Sequence, residues 1–378
     1  MTTNQHMVAQ LIQKEFSYDE EKLKTYGIKE IPIVKENKEN KKKEIVEIKY
    51  ETKSFSIEDT MYAKLCYEFD ELQDAMGCEK PNFMENMFAT IYENNYKDIL
   101  VTLKEMLTKR KSYKEIESFI ENKVMIYFVL FYLKTYQFTL YSNEKKKSQQ
   151  EQTFNRFKEM IFNVKYVCKL AITILNNYNL YILDSKNNDF LLSDSFIATA
   201  SFDYKGAGIN PPFYLNRSIG LTNIIILIPI SSRFYLMYTD NKKYKNLGHY
   251  INLYKNVKDE YKNIDFYNSI IYRNSYQFTI GKNIEMIKHI KETIPKYALC
   301  CCAGGHIDKN EIWCDVEIDK EYYLTHAINQ KKGVGYTKYK TNGNFFVEKP
   351  LNKNTTSLKF KLIACNPNFK NNKSNPNK

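Results

Sequence analysis

Three consecutive cysteines, Cys300 to Cys302, are followed at short distance by His306 and Cys314. Thiolate and imidazole are ligands that zinc favours, and all five residues fit within one hairpin. Successive residues of a strand point to opposite faces, so at most two of the three adjacent cysteines can share a metal. The paired spacing of a structural zinc site is missing, and small apolar residues packed on a strand are the simpler reading. Next comes NEIWCDVEID, in which strand alternation puts Asp315, Glu317 and Asp319 on one face with Trp313. Three carboxylates in line can hold Mg²⁺ for phosphoryl chemistry. The plainer alternative is an amphipathic strand with its acidic face in water. A third candidate is Ser193–Asp194, after the apolar run Phe190–Leu192. The carboxyl end of a buried strand is where open α/β sheets present groups to ligands, although aspartate also caps turns. Last, His6 aligns at helical spacing with Gln10 and Gln13. There it suits a general base, a metal ligand or an ordinary surface histidine.

Several chemistries are argued against by what the chain lacks. It contains no P-loop, GxGxxG, GxSxG, HExxH or CxxC motif. Gly333 and Gly335 lack both the third glycine and the helical pattern of a nucleotide-binding loop. A P-loop nucleotidase, a Rossmann dehydrogenase, an α/β-hydrolase and a zinc ribbon are therefore disfavoured.

The elements that must position these residues fall into blocks. Residues 1–56 read as an N-terminal helix over 4–16 and two strands joined by a lysine-rich loop, packing on a sheet. Residues 57–178 read as helical almost throughout, with Ser56, Asp59 and Ser112 as caps and Pro81 near a helix start. From 179 to 292 short apolar runs alternate with turns, and Ile224–Ile230 is apolar on both faces, as a central strand would be. Helices at about 258–275 and 282–292 flank a short strand, QFTIG. Residues 293–365 form a basic, β-rich extension, and 366–378 an Asn/Lys/Pro tail expected to be disordered. The fold class is α/β, with α+β as the variant: a mixed sheet from residues 20–56 and 179–292 beside a large helical block.

Charge sharpens the picture. Of the formal +12, the segment 320–378 carries twelve lysines against two glutamates, a net +10, and no arginine. Such asymmetry points to a polyanion partner. Lys331, Lys332, Lys338 and Lys340, interleaved with Tyr336 and Tyr339, are the residues expected to meet RNA or single-stranded DNA. Codon bias is the competing account, because Lys, Asn, Ile, Tyr and Phe dominate the composition. The N-terminus shows no basic region followed by an apolar core, so the eight cysteines are expected to be reduced and the protein cytoplasmic. The most apolar run, Val124–Leu133, is about half the ~20 residues a membrane span requires, so no membrane partner is expected.

His6-Met7-Val8-Ala9-Gln10 with Phe16 resembles the His-Tyr-Val-Pro-Gln…Phe signature of a bacterial family called domain of unknown function 4238. Ser193-Asp194 matches its second signature, Ser-Asp-Asn-Pro, and Pro229-Ile230-Ser231 its third, Pro-Leu-Ser-Pro. Asn268 matches an asparagine ahead of a helix that leads into a short strand. The order and rough spacing agree over residues 4–282, while Ala9, Ser195-Phe196 and Ser232 depart from the pattern. The resemblance carries no activity, but it implies that His6 and Asp194 converge. On that footing the enzymatic reading is a hydrolase of nucleic-acid or nucleotide phosphodiesters. His6 and Asp194 would serve as base or divalent-metal ligand, and Asn268 as substrate orienter. The alternative is a non-enzymatic nucleic-acid-binding or effector-partner protein in which the three residues are structural.

Overall fold

The computed structural model describes residues 4–6, 8–36, 43–64, 88–135, 164–201, 224–275, 278–293, 300–308, 311–318, 345–347 and 357–362. The chain opens on strand β1 (Asn4–His6) and then helix α1 (Gln10–Lys14). This corrects the continuous helix expected over 4–16. β1 is drawn into an antiparallel pair with β4 (Tyr62–Lys64), and pairing with a distant strand overrides local periodicity. Ala9, at the helix N-cap, has φ −52°. A proline would accept that angle, so the departure from the family signature leaves the backbone in a proline-compatible state.

Strands β2 (Lys24–Glu36) and β3 (Lys43–Ser56) form the long antiparallel pair that alternating branched residues predicted. A helical block follows: α2 (Asn94–Thr108), α3 (Tyr113–Phe119), α4 (Met125–Lys134) and α5 (Val164–Asn177). Ser112 caps α3 through a capping box with Glu115, as anticipated. The apolar run lies in α4, whose Phe128 to Lys134 are all buried, with Lys134 paired to Glu93 at 3.3 Å. Among the described residues no helix is long and apolar enough to cross a membrane. Pro81 lies outside the described residues.

The remaining strands of the body are β5 (Asn179–Asp184), β6 (Leu191–Ser193), β7 (Ala198–Ser201), β8 (Ile224–Pro229), β9 (Phe234–Thr239), β10 (Tyr250–Asn252) and β11 (Phe278–Gly281). Helix α6 (Ile264–Asn274) precedes β11 and α7 (Ile284–Thr293) follows it. The fold is α/β with mixed sheets, but the single sheet expected from 20–56 and 179–292 resolves into two. One has strand order β3-β2-β11-β6 and the other β10-β5-β9-β8-β7. The chain crosses between them more than once, and at the β6–β7 step it passes through Phe196, which adopts φ +60°. β8 is central in the second, and all six of its residues are buried.

Beyond the body, β12 (Cys300–Asp308), β13 (Glu311–Ile318), β14 (Phe345–Val347) and β15 (Ser357–Leu362) pair in the order β12-β13-β15-β14. From residue 300 on, every described residue lies in one of these four strands. β12 and β13 form the anticipated hairpin, with Gly305 opposite Cys314 and His306 opposite Trp313. Lys331, Lys332, Tyr336, Lys338, Tyr339 and Lys340 lie outside the described residues, as do Asp319 and the tail 366–378.

Candidate functional site

Asp194 and Asn268 both serve the stretch of chain that passes from one sheet to the other. β6 and β7 are edge strands of different sheets, joined by Ser193-Asp194-Ser195-Phe196. An edge strand leaves backbone N–H and C=O groups unpaired on one side, and burial makes each of them costly unless it is satisfied. Helix α6 supplies the missing partners. Asn268, fully buried, accepts from Leu191 N–H at 3.1 Å and donates to Asp189 C=O at 2.8 Å. Six residues on, Asn274 does the same for β7, accepting from Thr199 N–H and donating to Thr199 C=O, both at 3.0 Å. One helix thus seals one edge of each sheet.

Asp194 works at the other end of β6. Its N–H donates to Phe278 C=O at 3.1 Å, and its carboxylate accepts from Phe278 N–H at 2.8 Å. That exchange continues the β6–β11 ladder by one step with a side chain in place of a carbonyl. Ser193 and Ser195 share a hydroxyl hydrogen bond at 2.6 Å, and Phe196 N–H closes the turn on Ser193 C=O at 3.1 Å. The Phe196 ring meets Phe131 edge-on at 5.7 Å, tying the turn to the helical block. A proline here could take neither the positive φ nor the role of donor, so the family's Asn-Pro would make a different turn.

The third signature forms the β8–β9 turn. Ser231 Oγ accepts from Arg233 N–H at 3.2 Å and Phe234 N–H at 3.1 Å, and Ser231 N–H donates to Phe234 C=O at 3.0 Å. Pro229 ends β8, opposite Tyr235. Ser232, where the family has proline, donates its N–H to Glu15 C=O at 3.2 Å and thereby docks the end of α1 on the turn. His6 sits on β1 rather than on the helix face it was expected to share, because β1 pairs with β4 before α1 begins. It is buried, with the Gln10 amide nitrogen 3.2 Å from Nε2 and 3.4 Å from Nδ1. Gln13 faces inward, donating to Val8 C=O at 2.7 Å and accepting from Thr60 Oγ at 2.6 Å.

Asn268 and Asp194 therefore serve opposite ends of one short strand. Leu191 and Asp194 are about 10 Å apart at the rise of an extended chain. The residues that sequence reasoning passed over are Asn274 and Tyr235. Tyr235 is buried on β9, donates its hydroxyl to Leu191 C=O at 2.6 Å and packs edge-on against Phe16 at 6.3 Å. Burial holds its phenol well above the ordinary tyrosine range. A second asparagine at the same helix's end was the available signal for Asn274. Nothing local marks Tyr235.

The family model described as Protein of unknown function (DUF4238) matches residues 4–284. The chain belongs to this family. The match spans all four signatures and ends where α7 begins, so the basic extension lies beyond the DUF4238 region. No curated protein and no solved structure matches the chain. Among the described residues no group of three His, Cys, Asp or Glu side chains is arranged to hold a metal. The side chains of Cys300–Cys302, His306, Cys314, Asp315 and Glu317 lie outside what is described. Cys168, on α5, is a free thiol.

Proposed function

We propose that this DUF4238 protein is a non-enzymatic nucleic-acid-binding protein, in which His6, Asp194 and Asn268 serve the fold and the basic C-terminal segment serves the ligand. Asn268 is the observation that carries the reading. A substrate-orienting amide must keep one end for substrate. Here donor and acceptor are both engaged by main chain, on a fully buried side chain. The binding half draws its support from the net +10 of residues 320–378 and the tyrosines set among the lysines. Lysines neutralise phosphates and release counterions, and exposed rings stack on unpaired bases.

Fluorescence anisotropy of single-stranded RNA and DNA across a salt series tests this. With about four to six lysines engaged, the log–log salt slope should be roughly −3 to −4. Replacing Lys331, Lys332, Lys338 and Lys340 together by alanine should flatten it by about 3. Equal binding before and after substitution, or none at low salt, discards the reading. The competing reading is a phosphodiester hydrolase that uses a divalent metal, with His6 as its base or ligand. Metal-dependent cleavage that is lost in His6→Ala with an unchanged melting temperature would put hydrolysis in place of binding.

A further inference from the structure

We propose that Arg110 and Arg233 form a binding site for a phosphoryl group at the carboxyl ends of β5 and β10. Among the described strands these two make the only parallel pair, and their last residues, Asp184 and Asn252, are register partners. The carboxyl end of parallel strands is where α/β sheets receive ligands. Asp184 is buried, yet it carries two guanidinium groups. Arg233 meets it fork to fork, Nε to Oδ1 at 2.9 Å and Nη2 to Oδ2 at 3.3 Å. Arg110 donates through Nη2 to the same Oδ2 at 3.3 Å and to Asn252 Oδ1 at 2.8 Å. Two like charges are thus held side by side on a single carboxylate oxygen. One carboxylate neutralises one guanidinium, so a net positive charge stays at the rim.

That charge is presented to solvent. The Arg110 side chain is 48% exposed and that of Arg233 34%, against 1% for Asp184. Nε and Nη1 of Arg110 and Nη1 of Arg233 donate to no other described residue. The nearby acid Asp189 is already matched by Lys255 at 3.1 Å and Asn283 at 2.9 Å, so it does not quench the pair.

The backbone is shaped to the same end. Helix α2 closes in a Schellman motif, with Lys111 N–H to Met106 C=O at 3.0 Å and Arg110 N–H to Leu107 C=O at 3.2 Å. Arg110 occupies the left-handed position of that motif at φ +49°, where glycine is the unstrained choice. The chain places there the side chain that reaches Asp184.

A tetrahedral phosphoryl group suits this geometry better than a carboxylate. One arginine fork uses both oxygens of a carboxylate, whereas three terminal oxygens can engage two arginines. The site is built from residues of the body alone, and stands whether or not the C-terminal lysines bind nucleic acid.

The test titrates inorganic phosphate and adenosine monophosphate into the full chain at fixed ionic strength, with chloride as the control anion. Calorimetry gives the affinity, and the arginine Nε–H signals in NMR give the location. We expect saturable binding that shifts the Arg110 and Arg233 signals. Arg110→Met and Arg233→Met should each weaken it about tenfold, the loss of one charge-assisted hydrogen bond. Arg110→Lys keeps the charge without the fork and should fall between, which guards against a folding defect in the methionine variants. A single-stranded RNA arm separates the sources of the phosphoryl group. RNA binding lost in Arg110→Met assigns it to a polynucleotide, and RNA binding retained while adenosine monophosphate binding is lost assigns it to a small phosphorylated ligand. Phosphate no better than chloride, or equal phosphate affinity in the wild type and both methionine variants, overturns the site.

Discussion

An asparagine side chain carries the donor and acceptor of a peptide group, and helix α6 uses that equivalence twice, on Leu191/Asp189 and on Thr199. Such a residue is costly to lose, because truncation strands a buried N–H and a buried C=O together. Asn268→Ala should lower unfolding free energy by about 2–6 kcal/mol, at roughly 1–3 kcal/mol for each of the two groups left unsatisfied. Asn268→Asp should also destabilise, since it sets a carboxylate oxygen against the Asp189 carbonyl. Urea unfolding followed by circular dichroism measures both. An Asn268→Ala protein of wild-type stability would remove the structural role and return the residue to the list of substrate-binding groups.

At the scale of elements, the N-terminal signature shows why a short helix stands where a longer one is expected. α1 has five residues, too few to be stable by themselves. It is held by Ile12 and Phe16, both fully buried, and by the Lys104–Glu15 pair at 2.6 Å and the Ser232–Glu15 backbone bond. The N-cap Ala9, at φ −52°, already has the angle that proline would lock. Ala9→Pro should therefore stabilise the protein by about 0.4–1 kcal/mol, chiefly by narrowing the unfolded ensemble. A shift in urea midpoint with an unchanged m-value is the expected signature. A fall in stability would mean that the Ala9 N–H, or the conformation of Val8, is needed as it stands.

For the molecule as a whole, buried phenols set a limit on alkaline stability. Burial drives Tyr96, Tyr235 and Tyr238 well above the ordinary tyrosine range, and raises Tyr244 and Tyr267 as well. Unfolded tyrosines ionise near pH 10, whereas these stay protonated in the folded state. Above that pH the unfolded chain binds fewer protons than the folded one, so stability falls as pH rises. Their contribution is fully present below about pH 10 and drains above it, by up to about 1.4 kcal/mol per pH unit for each such tyrosine. Unfolding free energies from pH 8 to 11 should bend downward near 10, and Tyr238→Phe should reduce the steepness by one tyrosine's share. A flat profile would show that these rings reach solvent before the chain unfolds.

Periodicity and composition determined the α/β class, the β2–β3 pair, the central strand β8, the Ser112 cap and the burial of Phe128–Leu133. Each is dictated by neighbours in sequence, through side-chain alternation or a local hydrogen bond. Collinear short motifs determined the family as well. Partnership across space decided the rest. The two sheets exchange the chain several times, once through Phe196, whose left-handed backbone bulk periodicity does not encode. β1 replaces the first turns of a helix because Tyr62–Lys64 offers it a partner. Asp194 and Asn268 read as chemistry in one dimension, since a polar residue beside an apolar strand is also what a ligand site requires. Their use on the backbone of β6 became visible only once β11 and α6 were brought alongside. The same holds for Arg110, Asp184 and Arg233: far apart in the chain, they meet because the parallel pairing of β5 with β10 sets Asp184 beside Asn252 where α2 ends.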